Sequence, residues 1–274
     1  KKMFFDNLPK GAVAITNTDD RNGLVMLQNT RARKVTTSCR AIADHTCRVM
    51  ERSVDGMLLK IDGTEVWTRL IGMHNAYNLL AIYSAAVELG ADRDEVLVAL
   101  SALGPAPGRL ETVRCIGDRT VVIDYAHTPD ALENVLSALR EVCPGRPLVC
   151  LFGCGGDRDR TKRPEMAQVA QNYADRIFVS SDNSRSERTE DIMEEICSGF
   201  SPEGRARAGC IADRAEANRA AVTLSPEGSV ILLAGKGHEN YQIIGNEKRH
   251  FDVREILKPY AVSSVRTSKA IRYP

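Results

Sequence analysis

The fold of the second half of the chain is predicted most clearly by residues 120–159, TVVIDYAHTPDALENVLSALREVCPGRPLVCLFGCGGDRD. It opens with a short apolar run at 120–124, which is typical of a buried strand. Residues 128–130, Thr-Pro-Asp, combine an N-cap hydroxyl, a proline in the first turn and an early acid, and this pattern starts helices. A second buried run at 148–152 leads into a glycine-rich turn. Strand, helix and strand in this order predict a parallel α/β unit.

The same alternation continues toward the C-terminus. Further strands are predicted at 176–180 and 229–233, and further helices at about 163–173, 190–198 and 213–224. Strands that alternate with helices of this length are typical of a doubly wound sheet, which binds ligands beyond the carboxyl ends of its strands. The stretch Pro-Ala-Pro-Gly at 105–108 interrupts the pattern, so we expect a linker between two domains there.

The first 70 residues or so are predicted to form short strands. The apolar runs lie at 11–15, 24–27, 47–50, 57–61 and 65–67. Asp62-Gly63 is a candidate hairpin turn between the last two runs. Amphipathic helices are predicted at 75–89 and 92–103, where apolar residues recur with the helical period.

Composition narrows the class of protein. At about 150 residues per domain, 274 residues suggest two domains. Basic and acidic residues balance at 37 and 36, so no global field attracts nucleic acid or an anionic membrane. No apolar run approaches the ~20 residues of a membrane span, and the start lacks a signal-peptide core. The eight cysteines include no C-x-x-C pair, which disfavours a zinc site, and scattered thiols without an export signal predict a soluble, cytoplasmic protein.

Polar segments follow four of the predicted strands, at 124–127, 153–160, 181–185 and 235–239. Arg158 and Arg185 can each bind a carboxylate or phosphate through two hydrogen bonds, whereas Asp182 and Glu239 can accept hydrogen bonds from an ammonium group. A pocket that offers both suits an amino acid. The glycine-rich turn at 153–156, taken alone, could instead bind phosphate, or it could be only a tight turn without a ligand. The sequence contains neither the spaced glycines of dinucleotide folds nor a G-x-x-x-x-G-K-[ST] loop.

Several longer motifs resemble those of a known protein family. They are DYAHTPDAL at 124–132, FGCGGDRD at 152–159 with KRP at 162–164, DNSRSE at 182–187 and AGKGHENYQ at 234–242. Earlier motifs are NTDD at 17–20, GMHNAYN at 72–78 and GRLE at 108–111. Together they resemble the Mur ligase family, from residue 1 to about residue 258.

The resemblance implies a domain organisation. Family members have a UDP-sugar domain, a central P-loop ATPase domain and a Rossmann-like C-terminal domain that holds the incoming amino acid. We expect residues 1–107 to be the C-terminal part of the central, ATP-binding domain without its P-loop. Residues 108–260 are then the C-terminal domain, and 261–274 form a weakly ordered basic tail. Lys1 resembles a family lysine that is carbamylated and holds a magnesium ion, although an exposed, frayed terminus is the alternative.

The resemblance also implies an activity. It is the ATP- and Mg²⁺-dependent addition of meso-diaminopimelate to UDP-N-acetylmuramoyl-L-alanyl-D-glutamate in peptidoglycan synthesis, by a monomer. We expect the present chain to be inactive alone. The positions that resemble binding residues for the third amino acid are Arg158, Asp182, Asn183, Ser184, Arg185, Gly235 and Glu239. Those that resemble positions on the ATP side are Asn75, Asn78, Arg109, Asp124 and His127.

The choice of amino acid depends on the loop at 182–185. The family pattern for diaminopimelate is D-N-P-R, and lysine-adding members replace the arginine. Arg185 is retained here, and it favours diaminopimelate because lysine lacks the distal carboxylate that a guanidinium would bind. Ser184 replaces the proline, which should loosen the loop. A lysine-adding member, a folylpolyglutamate-type or tripeptide-recycling ligase, and a non-catalytic amino-acid-binding module remain alternatives.

Overall fold

A computed structural model describes residues 1–262, and the chain divides into two compact units, one from Lys1 to Pro105 and one that begins at Ala106. The first unit contains α1 (Lys2–Asp6), β1 (Val13–Asn17), α2 (Gly23–Met26), β2 (Arg33–Ser38), β3 (His45–Ser53), β4 (Gly56–Ile61), β5 (Thr64–Thr68), α3 (Met73–Glu88) and α4 (Arg93–Ala102). The second contains β6 (Glu111–Cys115), β7 (Arg119–Asp124), α5 (Pro129–Val142), β8 (Leu148–Phe152), α6 (Lys162–Tyr173), β9 (Arg176–Ser180), α7 (Thr189–Cys197), α8 (Pro202–Ala206), β10 (Ala208–Ile211), α9 (Arg214–Thr223), β11 (Val230–Ala234), β12 (Tyr241–Ile244), β13 (Glu247–His250) and α10 (Val253–Leu257).

The first unit is built on a five-stranded sheet in the order β1-β2-β3-β4-β5. The first three strands pair in parallel, and β3, β4 and β5 pair antiparallel. The predicted hairpin turn between β4 and β5 is confirmed, because Asp62 and Gly63 both take positive φ angles, 43° and 92°. Helix α3 packs on this sheet through Leu79, Leu80 and Tyr83, which are buried in its core.

The strand predicted at 24–27 is wrong, because residues 24–26 belong to α2 and Leu27 is the C-cap of that helix. The preceding turn passes directly into helical hydrogen bonds, from Gly23 N to the Asp20 carbonyl and from Met26 N to the Asn22 carbonyl. Leu24 is 60% and Val25 39% exposed, and Leu27 at the end of the run joins the core at 3%. A four-residue apolar run does not distinguish a strand from a helical turn.

The second unit is built on a six-stranded sheet in the order β10-β9-β8-β11-β7-β6. All neighbours pair in parallel except β6, which is antiparallel to β7. This confirms the predicted doubly wound α/β fold. Strand β11 follows the others in sequence but lies between β8 and β7. The carboxyl ends of β9, β8, β11 and β7 are therefore adjacent, and the four polar segments lie side by side.

Two further findings concern the chain as a whole. Within residues 1–262, every helix is too short or too polar to cross a membrane. The predicted basic tail lies outside the described residues from position 263 onward. Its first two residues continue from the sheet edge, since Ala261 bridges to Cys115 and Val262 N donates to the Arg114 carbonyl at 2.9 Å.

Candidate functional site

A polar cavity of about 220 Å³ lies at the carboxyl ends of β7, β8, β9 and β11. Six of the seven residues predicted to bind the amino acid line it: Arg158, Asp182, Asn183, Arg185, Gly235 and Glu239. They come from three loops that are far apart in sequence. The strand order of the sheet, rather than any single motif, brings them together.

A buried lysine that was not predicted as a site residue organises one wall. The Lys236 side chain is fully buried, and its Nζ lies 3.1 Å from Asp182 Oδ1 and 3.2 Å from Glu239 Oε2. The same ammonium donates to Asn183 Oδ1 at 2.7 Å and to the Tyr241 carbonyl at 3.0 Å. Lys236 therefore fixes all three acidic and amide side chains of this wall in one arrangement.

Each carboxylate of the wall is held through only one of its oxygens. Besides Lys236, the Asn183 backbone N–H donates to Asp182 Oδ1 at 2.7 Å, and Asn183 Nδ2 donates to Glu239 Oε2 at 3.1 Å. Among the described residues, no donor is hydrogen-bonded to Asp182 Oδ2 or Glu239 Oε1. The wall thus keeps two carboxylate oxygens for a donor from outside, such as an ammonium group.

A second buried cation supports the same wall. The Arg214 side chain donates to the Ser181 carbonyl at 3.1 Å and to the Ala234 carbonyl at 2.5 Å, so it joins the ends of β9 and β11. Burial raises the pKa of the Asp182 carboxyl, but Lys236 and Arg214 oppose this and hold its pKa below the ordinary value. Asp182 is therefore ionised at neutral pH although its side chain is only 9% exposed.

The cavity lining also carries three cationic side chains whose hydrogen bonds are to carbonyl groups. Arg185 Nη1 donates to the Gly156 carbonyl at 2.8 Å, Arg158 Nη1 to the Asp157 carbonyl at 3.0 Å, and Lys162 Nζ to the His127 carbonyl at 3.2 Å. Within residues 1–262, none of these three cations forms an ion pair. They are therefore available to bind a carboxylate or phosphate group.

Glycines allow the loops after β8 and β9 to pack backbone against backbone. A Cβ atom on Gly156 would lie 1.9 Å from the Ser184 carbonyl oxygen, and one on Gly153 would lie 2.3 Å from the Ser180 carbonyl oxygen. The fully buried Arg163 then holds the second loop through Glu187, with contacts of 2.8 and 2.9 Å. This hydrogen-bonded pair lowers the pKa of Glu187 to about 2.

Other predicted residues of the second unit lie outside the cavity lining. Ser184 is buried beneath the loop, where its carbonyl accepts from Glu187 N. The Asp124 carboxylate accepts from the backbone N–H groups of Leu110 and Ala126, at 2.9 and 2.8 Å. The Arg109 guanidinium lies over the Tyr125 ring at 5.0 Å.

The predicted ATP-side residues fall in both units. His127 is exposed and lines the cavity, and its Nδ1 lies 2.9 Å from the Tyr125 carbonyl. Asn75 and Asn78 lie in the first turns of α3, where Asn75 Nδ2 donates to the Ile71 carbonyl and Asn78 Nδ2 donates to Asn75 Oδ1. Each unit therefore contains its own set of predicted ATP-side residues.

The surroundings of Lys1 within residues 1–262 offer a magnesium ion a single carboxylate. Lys1 borders a shallow cavity of the first unit with Asn17 and Asp20. Asp20 is the one carboxylate there, and it already accepts from Asn22 N at 2.7 Å. In the described part of the chain, no three His, Cys, Asp or Glu side chains converge on one point.

Comparison with known proteins gives matches along most of the chain. The family model described as the Mur ligase middle domain matches residues 1–86, and the Mur ligase, glutamate ligase domain matches residues 108–237. UDP-N-acetylmuramoyl-L-alanyl-D-glutamate–2,6-diaminopimelate ligase of Parabacteroides distasonis is 48% identical over 259 residues, which are 94% of this chain and 53% of that protein. The enzyme of the same name from Phocaeicola vulgatus is 49% identical over 94% of this chain and 54% of its own length.

Solved structures agree with these matches. A structure of UDP-N-acetylmuramoyl-L-alanyl-D-glutamate–2,6-diaminopimelate ligase superposes with a TM-score of 0.68 and 34% identity, over 90% of this chain and 52% of the other. Folylpolyglutamate synthase from Thermotoga maritima has a TM-score of 0.62 at 16% identity, over 81% and 50% of the two chains, and shares the fold alone. The chain spans about half the length of the curated relatives it matches. Two domain matches and these relatives show that the chain belongs to the Mur ligase family.

Proposed function

We propose that this chain supplies the amino-acid-binding part of an ATP-dependent ligase that joins meso-diaminopimelate to UDP-N-acetylmuramoyl-L-alanyl-D-glutamate. Residues 1–107 would belong to the ATP-binding domain and residues 108–260 to the amino-acid-binding domain. The observation that carries the proposal is the division of charge in the cavity. Within residues 1–262, Asp182 and Glu239 each offer a carboxylate oxygen without a donor, and Arg158, Lys162 and Arg185 offer cations without an ion pair.

This division fits a ligand with two ammonium and two carboxylate groups. One ammonium would bind Asp182 Oδ2 and Glu239 Oε1, because no donor among residues 1–262 is hydrogen-bonded to these carboxylate oxygens. A carboxylate at the same end of the ligand would bind Arg185, which comes from the same loop as Asp182. The other amine, once deprotonated, would remain free to attack an acyl phosphate formed from ATP, which gives an amide and inorganic phosphate.

The loop that carries Arg185 is fixed even though Ser184 replaces the family's proline. Arg185 N donates to the Ile243 carbonyl at 3.3 Å, and Gly245 N donates to the Arg185 carbonyl at 2.8 Å. These two backbone bonds attach the loop to β12. They hold Arg185 at a positive φ of 49° without help from a proline ring. The substitution therefore gives no reason to prefer lysine over diaminopimelate.

Calorimetric titration of meso-diaminopimelate and L-lysine, with ATP present, tests the proposal. Arg185→Ala should weaken binding of diaminopimelate about ten- to a hundred-fold, because a charge-assisted pair contributes about 1.5–3 kcal/mol. L-Lysine binding should change little, because lysine has no carboxylate beside its side-chain ammonium for Arg185 to bind. Arg188→Ala is the matched control, because this arginine is 76% exposed on the same loop and outside the cavity. Equal losses for both ligands, or wild-type preference for lysine, would refute the assignment.

A further inference from the structure

Two cysteines outside the cavity lie close enough to react with each other. Cys197 is the last residue of α7 and Cys210 lies in β10, and their Sγ atoms are 3.4 Å apart. Cys210 is exposed and Cys197 is half-buried, so reagents in solution can reach the pair. Both are free thiols in this structure. The pair takes no part in the proposed amino-acid site.

We propose that Cys197 and Cys210 form a dithiol site that low-molecular-weight disulfides, such as oxidised glutathione, convert into an intramolecular disulfide. A disulfide bond requires the two sulfur atoms to approach to about 2.05 Å. The elements that carry them can supply this small movement. In the described sheet, β10 pairs only with β9 and forms an edge, and Cys197 lies where α7 ends.

The surroundings of Cys210 favour its reactive thiolate form. The hydrogen bond from the Cys197 thiol lowers the pKa of Cys210 to about 6 against the opposing effect of burial, and the Arg205 guanidinium lowers it further. Arg205 is held nearby because its Nη1 donates to the Ala208 carbonyl at 2.8 Å. The same pairing raises the pKa of Cys197. At neutral pH, Cys210 is therefore the attacking sulfur and Cys197 the resolving thiol.

The reaction balances as two thiol–disulfide exchanges. The Cys210 thiolate attacks one sulfur of oxidised glutathione, which forms a mixed disulfide and releases one glutathione thiolate. Cys197 then loses its proton and attacks the Cys210 sulfur, which closes the protein disulfide and releases the second glutathione thiolate. Two protein thiols are oxidised, and the one disulfide of glutathione is reduced to two thiols.

Tryptic mapping tests the proposal directly, because trypsin cuts after Arg188, Arg205, Arg207 and Arg214. Cys197 and Cys210 then lie in separate peptides, 189–205 and 208–214. After treatment of the whole chain with oxidised glutathione at pH 7 and blocking of free thiols, mass spectrometry should find these peptides linked. Cys197→Ala should instead leave glutathione attached to peptide 208–214. If wild type retains glutathione there, or if neither peptide is modified, the proposal is wrong.

The pH dependence of alkylation provides a second test that does not depend on disulfide formation. The rate of iodoacetamide reaction at Cys210 should rise with a midpoint near pH 6, because the Cys197 thiol and Arg205 stabilise its thiolate. In Cys197→Ala the midpoint should move toward the ordinary thiol value of about 8.5. The buried Cys150 serves as the internal control, because burial raises its pKa to about 12 and leaves it unreactive. A midpoint near 8.5 in wild type would overturn the assignment of Cys210 as the attacking thiolate.

Discussion

Replacing Lys236 by methionine should strongly destabilise the second unit. Methionine is long and apolar and fills much of the same volume, but it leaves Asp182 and Glu239 without their shared cation. The hydrogen bonds from Lys236 to Asn183 and Tyr241 are lost as well. Removing one partner from a buried ion pair costs about 3–5 kcal/mol, because the remaining charge stays buried and uncompensated. We expect the free energy of unfolding of this unit to fall by that amount.

Urea unfolding followed by far-UV circular dichroism measures this loss. With a denaturant slope of about 2 kcal/mol per molar, the midpoint of the second unit should fall by about 1.5–2.5 M. The chain has a single tryptophan, Trp67 in β5 of the first unit, so its fluorescence reports a transition that should stay in place. Lys248→Met is the matched control. It removes an exposed ammonium that lies 3.9 Å from the centre of the Tyr241 ring, and it should cost less than about 1 kcal/mol.

The pH dependence of the unfolding free energy shows whether Lys236→Met destabilises the unit by removing a charge or by disturbing the packing. In wild type the pKa of Asp182 is lowered, so its ionisation stabilises the fold above pH 3.8 and this contribution is lost as the pH falls further. Without Lys236, only Arg214 and the Asn183 backbone N–H oppose the effect of burial, so we expect the pKa of Asp182 to rise and its ionisation to oppose folding. The deficit of Lys236→Met should therefore be largest at neutral pH and shrink toward about pH 4. If Lys236→Met shifts the urea midpoint by less than about 0.5 M at neutral pH, or by the same amount at neutral pH and at about pH 4, the reasoning is refuted.

Three further predictions concern the loops and the helix around the cavity. Arg163 lowers the pKa of Glu187 to about 2, so wild-type stability should fall as the pH drops from about 4.5 toward 2, and thermal unfolding of Glu187→Gln should show a flatter acid limb. Gly156→Ala places a Cβ against the Ser184 carbonyl and should cost about 1–3 kcal/mol in urea unfolding; an unchanged midpoint would contradict this. Thr128→Ala removes the N-cap of α5 and should cost about 0.5–2 kcal/mol in the same assay, whereas Thr128→Ser should cost little.

The buried parallel strands could be predicted from sequence because both of their faces are covered. Such strands are continuous apolar runs, and the prediction at 148–152 matches β8 (Leu148–Phe152). The starts of two helices also agree with the sequence prediction, because each has a side chain that caps the first backbone N–H groups. Thr128 accepts from Ala131 N at the start of α5, and Asp92 accepts from Asp94 N and Glu95 N at the start of α4.

Two of the elements that sequence reasoning missed have little apolar signal of their own. Strand β10 has the sequence AGCI and is half-buried or exposed, and β13 has the sequence EKRH and is exposed throughout. Their hydrogen-bonding partners define them as strands, because β10 pairs with β9 and β13 pairs with β12. A pattern within one segment does not reveal such pairing.

The site shows the same limit at the level of single side chains. Residues such as Asp182 and Glu239 could be predicted because carboxylates at strand ends are chemically conspicuous and match a family motif. Lys236 follows the last of these strands too, but in sequence it is an ordinary lysine between two glycines, and its role depends on burial. Once β11 lies between β8 and β7, the ammonium must be neutralised, and Asp182, Asn183 and Glu239 supply the partners. Among residues 1–262 the same contacts leave one oxygen of each carboxylate without a donor, and these are the two oxygens that we propose bind the ammonium group of the ligand.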